Sequence, residues 1–196
     1  ECSDMAFEDI ILGLDYWDPG TTFVWVRNNP DGIESQIPMS GSANNIGDAL
    51  SGSFINKSNN PLTITFLITA IGPSPTYCAG NAIKATVTVN PTPLVILQNA
   101  APVICYGEST SIKLLTPNTM TKGDIVFDYT VSFQGKPGQI IGNNSPGTVS
   151  PGNIINYSYE NNSDTVLSVF YTIIPKNNSL ACKYDSIAIP EVKVHP

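Results

Sequence analysis

Charge is scarce in this chain of 196 residues: Asp, Glu, Lys and Arg make up 13% of it, and there is one histidine. The nine Lys and Arg form no cluster, and with sixteen Asp and Glu the formal net charge is −7. Nucleic-acid grooves and anionic membrane surfaces both need concentrated positive charge, so neither partner is expected. Long apolar runs are missing as well. The strongest, ITFLITAI, is broken by threonines on one face and falls short of the ~18 residues of a membrane span, so no membrane insertion is expected. Apolar residues at helical spacing are nearly absent. The chain also lacks a start Met and a signal segment, as expected of an internal fragment, which leaves export to be argued from the cysteines.

What is present is a duplication. Cys2 recurs as Cys105 and Cys78 as Cys182, shifts of 103 and 104 residues. Between these anchors Leu62, Ile64, Phe66 and Ile68 correspond to Leu167, Val169, Tyr171 and Ile173, each an every-second-residue apolar row that should face a core. Val87 and Val89 match Val192 and Val194, and Trp25 matches Tyr129. A period near one hundred residues exceeds the roughly 20–50 of solenoid repeats, so each copy is expected to be a domain with its own core, 1–91 and 92–196. Copy two opens on PLVILQNAAPVIC, whereas copy one begins one residue before Cys2, so the first strand of copy one is expected to be truncated and the chain to come from a longer array.

Hydrophobic residues at 41% with many Asn, Ser, Thr, Pro and Gly describe short β-strands separated by turns. In copy one, strands are expected near 10–14, 22–26, 50–55, 62–71 and 83–89; in copy two near 94–98, 111–115, 125–133, 139–141, 154–159, 166–174 and 187–194. About seven short strands per ~100 residues point to an all-β fold: two tandem immunoglobulin-like antiparallel sandwiches. The junction Asn90-Pro91-Thr92-Pro93 restricts φ at both prolines, which predicts an extended rod.

Four cysteines allow three pairings, and the repeat favours Cys2–Cys78 and Cys105–Cys182, each within one copy. The spacings of 76 and 77 residues are too wide for a zinc knuckle. Disulfides persist in oxidising compartments, which predicts an extracytoplasmic chain.

Candidate sites are few. Nucleophilic triads need an imidazole beside the nucleophile, and His195 is penultimate. Asp15 and Asp18 flank Tyr16-Trp17 and could in principle act as paired carboxylates, but Asp18-Pro19-Gly20 reads as a turn, and copy two has Thr116-Pro117-Asn118 in that neighbourhood. No catalytic residue is assigned, so the chain is not expected to be an enzyme. No calcium loop of the D-x-[DN]-x-[DN]-G type and no Gly-rich phosphate loop occur, so no metal or cofactor is assigned. Tyr16 and Trp17 are candidates for glycan contact, since exposed aromatics stack on sugar faces, with partial burial at a sandwich end as the alternative. Trp25 is expected to be a core aromatic.

The segments FINKSNNPLTITFLITAIGPSPTYCAGNAIKATVTVNPTP and VICYGESTSIKLL resemble the PKD-like repeats of giant Bacteroidota cell-surface adhesins, SprB-type gliding-motility adhesins among them. The resemblance lies in Asn59-Asn60-Pro61, the strand Ile64 to Ala70, Cys78-Ala79-Gly80, Val87 to Pro93, and Ile104-Cys105-Tyr106-Gly107. Copy two departs at Cys182-Lys183-Tyr184, which lacks the glycine, and at its ending Val192 to Pro196. The resemblance implies a non-catalytic stalk repeat of a surface filament, associated with the outer membrane and exported by type IX secretion. Its partners would be neighbouring repeats, surface polysaccharide and the gliding machinery. In such a source, Asp164-Thr165-Val166 and Asp185-Ser186-Ile187 resemble an O-glycosylation motif, making Thr165 and Ser186 candidate modification sites.

Overall fold

A computed structural model describes residues 1–196 except Trp17, Lys183, Asp185 and Ser186. The chain divides into two compact units, Glu1–Pro91 and Thr92–Pro196. Both are all-β among the described residues.

Unit 1 carries β1 (Ile10–Ile11), β2 (Thr22–Arg27), β3 (Ile33–Glu34), β4 (Ser40–Ala43), β5 (Ala49–Leu50), β6 (Ile55–Asn56), β7 (Leu62–Ile71) and β8 (Ile83–Val89). Its main sheet has the order β4-β2-β7-β8, all antiparallel. The alternation along β7 buries Ile64, Phe66 and Ile68 against Trp25, Phe54, Val87 and Val89, while Leu62 packs at the margin.

Unit 2 carries β9 (Ile96–Asn99), β10 (Val103–Ile104), β11 (Ile112–Leu115), β12 (Ile125–Phe133), β13 (Ile140–Gly142), β14 (Gly147–Val149), β15 (Ile154–Ile155), β16 (Tyr159–Asn161), β17 (Leu167–Asn177) and β18 (Glu191–Val194). The order β10-β18-β17-β12-β14 forms one layer and β15-β11-β9 lies in the other, with β10 parallel to β18 and the other pairs antiparallel. Val169, Tyr171, Ile173, Val192 and Val194 are all fully buried in its core. Pro175, inside β17, sits two residues past Ile173, whose backbone exchanges both hydrogen bonds with Ala188. Its missing N–H therefore points to the same side, beyond the last described bridge, where the ladder needs no donor.

The two units repeat each other down to cross-strand neighbours. Trp25 lies opposite Ile68 on one side and Gly41 on the other; Tyr129 lies opposite Ile173 and Gly147. A Cβ at Gly41 would meet the Trp25 ring at 2.6 Å, and one at Gly147 the Tyr129 hydroxyl at 2.5 Å. Each glycine thus leaves room for the aromatic ring that covers it. Neither β4 nor β14 is expected from sequence, since SGSA and GTV carry little strand signal.

A second shared device is a buried asparagine. Asn56 donates through Nδ2 to Asn60 O (2.8 Å) and Val89 O (2.7 Å), and accepts through Oδ1 from Ser58 N and Oγ. Asn161 donates to Thr165 O and Val194 O, both at 2.8 Å, and accepts from Ser163 N and Oγ. In each copy one amide side chain ties the turn before the long strand to the end of the last strand.

The cysteines correct the sequence reading. Cys78 and Cys105 are exposed free thiols, so neither expected bond within a copy is formed; the disulfide-bonded cysteines are Cys2 and Cys182. The reason is strand length. Cys2 bridges Asn90, next to the Val89–Leu62 pair at the start of β7, whereas Cys78 follows the end of β7 and accepts from Gly72 N. A ten-residue strand at ~3.3 Å per residue sets the two about 30 Å apart, against roughly 4.4–6.8 Å between the Cα atoms of a disulfide. In unit 2, Cys105 follows Ile104, whose neighbour Val194 pairs with Leu167 at the start of β17, while Cys182 lies beyond the other end of that strand.

Candidate functional site

The aromatic pair singled out in the sequence falls on the loop between β1 and β2. Tyr16 is 94% exposed and, with Leu14, Asp18, Thr21, Gly72 and Cys78, borders an open groove of about 510 Å³. Trp17 lies outside the described residues. Thr21 Oγ1 and N both donate to Asp18 O, closing the turn expected at Asp18-Pro19-Gly20, with Gly20 at φ 88°. Among the described residues of this loop, Tyr16 presents its ring at a half-polar groove.

A larger groove of about 640 Å³ was not foreseen. Trp25, Ile37, Pro38 and Leu50 give it apolar walls, and Glu34, Gln36 and the Ser35 and Ser51 hydroxyls give it a polar margin. Trp25 is 6% exposed and packs edge-on against Phe66 at 5.8 Å, so it is the core residue the sequence suggested, with an edge turned to the groove. The groove wall is fixed by Arg27. Its Nε donates to Pro38 O, Nη2 to Ile37 O, and Nη1 to Asn28 O and Asn29 Oδ1, while the guanidinium carbon sits 5.3 Å from the Phe54 ring centroid. Burial pulls the Arg27 pKa below its ordinary value. These carbonyls satisfy the guanidinium donors locally.

At the corresponding position of copy two stands Tyr157, the counterpart of Gly52, which joins its hydroxyl to Tyr129 Oη at 2.8 Å. The signal was present in the sequence: a glycine in one copy aligned with a tyrosine in the other. The structure places that glycine on the lining of the groove.

The remaining candidates stand alone. Thr165 is exposed in the turn between β16 and β17, and Ser186 lies outside the described residues. The backbone of His195 donates to Ile104 O at the end of unit 2. Among the described residues, no three or more His, Cys, Asp or Glu gather to hold a metal ion, and no helix is long and apolar enough to cross a membrane.

Comparison with known proteins gives one family match. Residues 2–93 match the PKD-like domain. No curated protein matches the chain. Solved structures that resemble it include the Yersinia pseudotuberculosis adhesin InvE, at 10% identity and TM-score 0.35 over 91% of this chain and 50% of that one. The D00-D0 domain of intimin aligns at 11% identity and TM-score 0.36 over 100% and 94% of the two chains. A Porphyromonas gingivalis W83 protein of unknown function aligns at 11% identity and TM-score 0.31 over 92% and 87%. The chain spans half the length of the InvE chain.

Proposed function

We propose that this chain is a structural, non-catalytic repeat segment of a large cell-surface adhesin, a pair of PKD-like domains that spaces an adhesive region from the cell. The observation that carries the reading is the match of residues 2–93 to the PKD-like domain together with the recurrence of the same frame in unit 2. Trp25 with Gly41 and Asn56 reappear as Tyr129 with Gly147 and Asn161. The motifs around Cys78 and Cys105 extend the reading to an extracellular, outer-membrane-associated filament of the gliding-motility type, exported by type IX secretion. Antibodies to the chain should label intact source cells and lose their signal after protease shaving. Labelling only after permeabilisation would overturn the surface assignment, and a sharply bent particle in solution scattering would count against a spacer.

A second reading has one specific observation behind it: the groove at Trp25. Apolar walls with a hydroxyl and carboxylate margin suit a sugar ring, whose C–H faces are apolar and whose rim carries hydroxyls. A glycan array probed with the whole chain, its Gln36→Ala variant and its Tyr16→Ala variant separates the two loops. A hit lost on Gln36→Ala assigns the Trp25 groove, one lost on Tyr16→Ala assigns the exposed aromatic, and a blank array removes the sugar reading. Thr165 is the exposed candidate for O-glycosylation, and a bare Thr165 peptide from native protein would remove it.

A further inference from the structure

Each copy places its two cysteines at opposite ends of the sandwich. Cys2 and Cys105 lie beside the strand by which the chain leaves the unit: Cys2 bridges Asn90, and Cys105 follows the Ile104–Val194 pair. Cys78 and Cys182 lie on the connection between the long strand and the last strand, beyond the far end of β7 and β17. In unit 2 that far end is also where the chain arrives. Leu94 N donates to Asn118 Oδ1, and the following segment is tied to the end of β17 by Asn177 Nδ2 to Lys122 O and by Asp124 N to Asn178 Oδ1.

The oxidation states divide these positions evenly. One cysteine of the leaving end, Cys2, and one of the far end, Cys182, are disulfide-bonded; one of each kind, Cys105 and Cys78, is free. Equivalent positions otherwise look alike. Cys2-Ser3-Asp4-Met5 and Cys105-Tyr106-Gly107-Glu108 form the same turn, with Met5 N bound to Cys2 O and Glu108 N to Cys105 O, and positive φ at Asp4 (59°) and Gly107 (76°). Yet Cys2 is buried, at 5% exposure, and Cys105 is exposed. Cys182, at 8%, and Cys78 differ in the same sense.

We infer that the two free thiols are mating positions for further copies of this module: Cys105 takes a far-end cysteine of the Cys182 kind from a following copy, and Cys78 takes a leaving-end cysteine of the Cys2 kind from a preceding one. A chain running from one copy into the next leaves beside the first kind of cysteine and arrives beside the second. Each junction with a further copy is thereby closed by one covalent bond besides the peptide linker. Oxidation joins the two sulfurs with loss of one hydrogen from each thiol. The electron pair passes to a disulfide oxidant, here oxidised glutathione, whose own sulfur–sulfur bond breaks to give two reduced molecules. The inference rests on the repeat and the cysteine positions, not on the adhesin reading, so either can fail without the other.

The test is the full chain extended after Pro196 by a second copy of residues 92–196, so that His195-Pro196 runs into Thr-Pro as Asn90-Pro91 does. The extended chain is oxidised with glutathione disulfide, alkylated and mapped by peptide mass. The expected result is a bond between Cys105 and the added copy's counterpart of Cys182, with Cys78 and the added counterpart of Cys105 still alkylated. A Cys105→Ser variant should leave the added counterpart of Cys182 alkylatable while its thermal transitions stay in place, which shows that the added copy folds without the bond. Cys105 recovered as an alkylated or glutathione-capped thiol, or bonded to Cys78, would overturn the inference.

Discussion

Copy one closes its core with three phenylalanines where copy two uses two tyrosines and a threonine. Phe7 stacks on Phe54 at 5.5 Å between centroids, and both reach Phe66 at 6.3 Å. The counterparts Thr110, Tyr159 and Tyr171 are just as buried but are joined by oxygens: Tyr159 Oη to Tyr171 Oη at 2.7 Å, Thr110 Oγ1 to Tyr171 Oη at 3.4 Å, and Tyr159 Oη donating to Asn143 O at 2.9 Å. One backbone frame therefore accepts either a dry aromatic stack or a hydrogen-bonded chain. It does so because each set is complete in itself, rings filling space in one and every hydroxyl finding a partner in the other.

The largest effect should come from emptying the shared position. Phe66→Ala and Tyr171→Ala each leave a cavity at a fully buried site, costing about 3–5 kcal/mol. Both tryptophans, Trp17 and Trp25, belong to unit 1. For Phe66→Ala, the thermal transition followed by tryptophan fluorescence should fall by roughly 15 °C, while the remaining transition seen by calorimetry stays put. A common shift of both transitions would show that the cores are not independent.

Alkali should then separate the copies without any mutation. Burial pushes the Tyr159 hydroxyl well above the ordinary tyrosine value, and burial raises Tyr171 as well. Burial and Tyr157 push Tyr129 up to about 12. A folded pKa above the unfolded value of about 10 means that the stabilisation is complete below pH 10 and is lost as pH rises toward the folded value. For Tyr129 the window is about pH 10 to 12. Unit 2 should unfold there first, read by tyrosine absorbance, while tryptophan fluorescence from the phenylalanine-lined unit changes later. Simultaneous loss would refute the role of the tyrosine chain.

Much of this frame was legible beforehand, for identifiable reasons. The rows Ile64-Phe66-Ile68 and Val169-Tyr171-Ile173 are strictly alternating, and a two-residue period survives any tertiary context that covers one face. The edge strands Ser40–Ala43 and Gly147–Val149 were invisible because their strand character comes from Trp25 and Tyr129 on the neighbouring strand. Cysteine pairing failed for a geometric reason: the repeat says which cysteines are equivalent but not which ends of a sandwich they occupy. That depends on the parallel Cys2–Asn90 and Ile104–Val194 contacts, which join residues about ninety positions apart. The Asn-x-Ser at 56–58 and again at 161–163 was readable as a repeated polar pair; its burial was not.

That asparagine sharpens the comparison, because here the copies are alike. Asn56→Ala and Asn161→Ala each remove the side-chain donation to the carbonyl of Val89 or Val194 and release the turn held by Ser58 or Ser163. A side-chain hydrogen bond contributes about 0.5–1.5 kcal/mol and each amide makes several, so each variant should lose about 2 kcal/mol in its own unit by urea titration. Equal losses would mark the corner as a common structural device. A loss confined to one copy would make it local.

The smallest and most discriminating effect concerns single hydroxyls. Tyr159 gives its proton to Asn143 O, so the short contact with Tyr171 must be a donation from Tyr171 to Tyr159 Oη. Tyr159→Phe removes an acceptor from Tyr171 and a donor from Asn143, and should cost about 1 kcal/mol, since Tyr171 can turn to Thr110. Tyr171→Phe should cost a similar amount by depriving Tyr159 of its donor. Making both changes removes the buried oxygens together and restores the ring pair that Phe54 and Phe66 form in copy one, so the double variant should lose less than the sum of the two. A double-mutant cycle on the unit 2 transition measures this coupling. Strict additivity would mean that the hydroxyls act separately and that the likeness to copy one is one of shape alone.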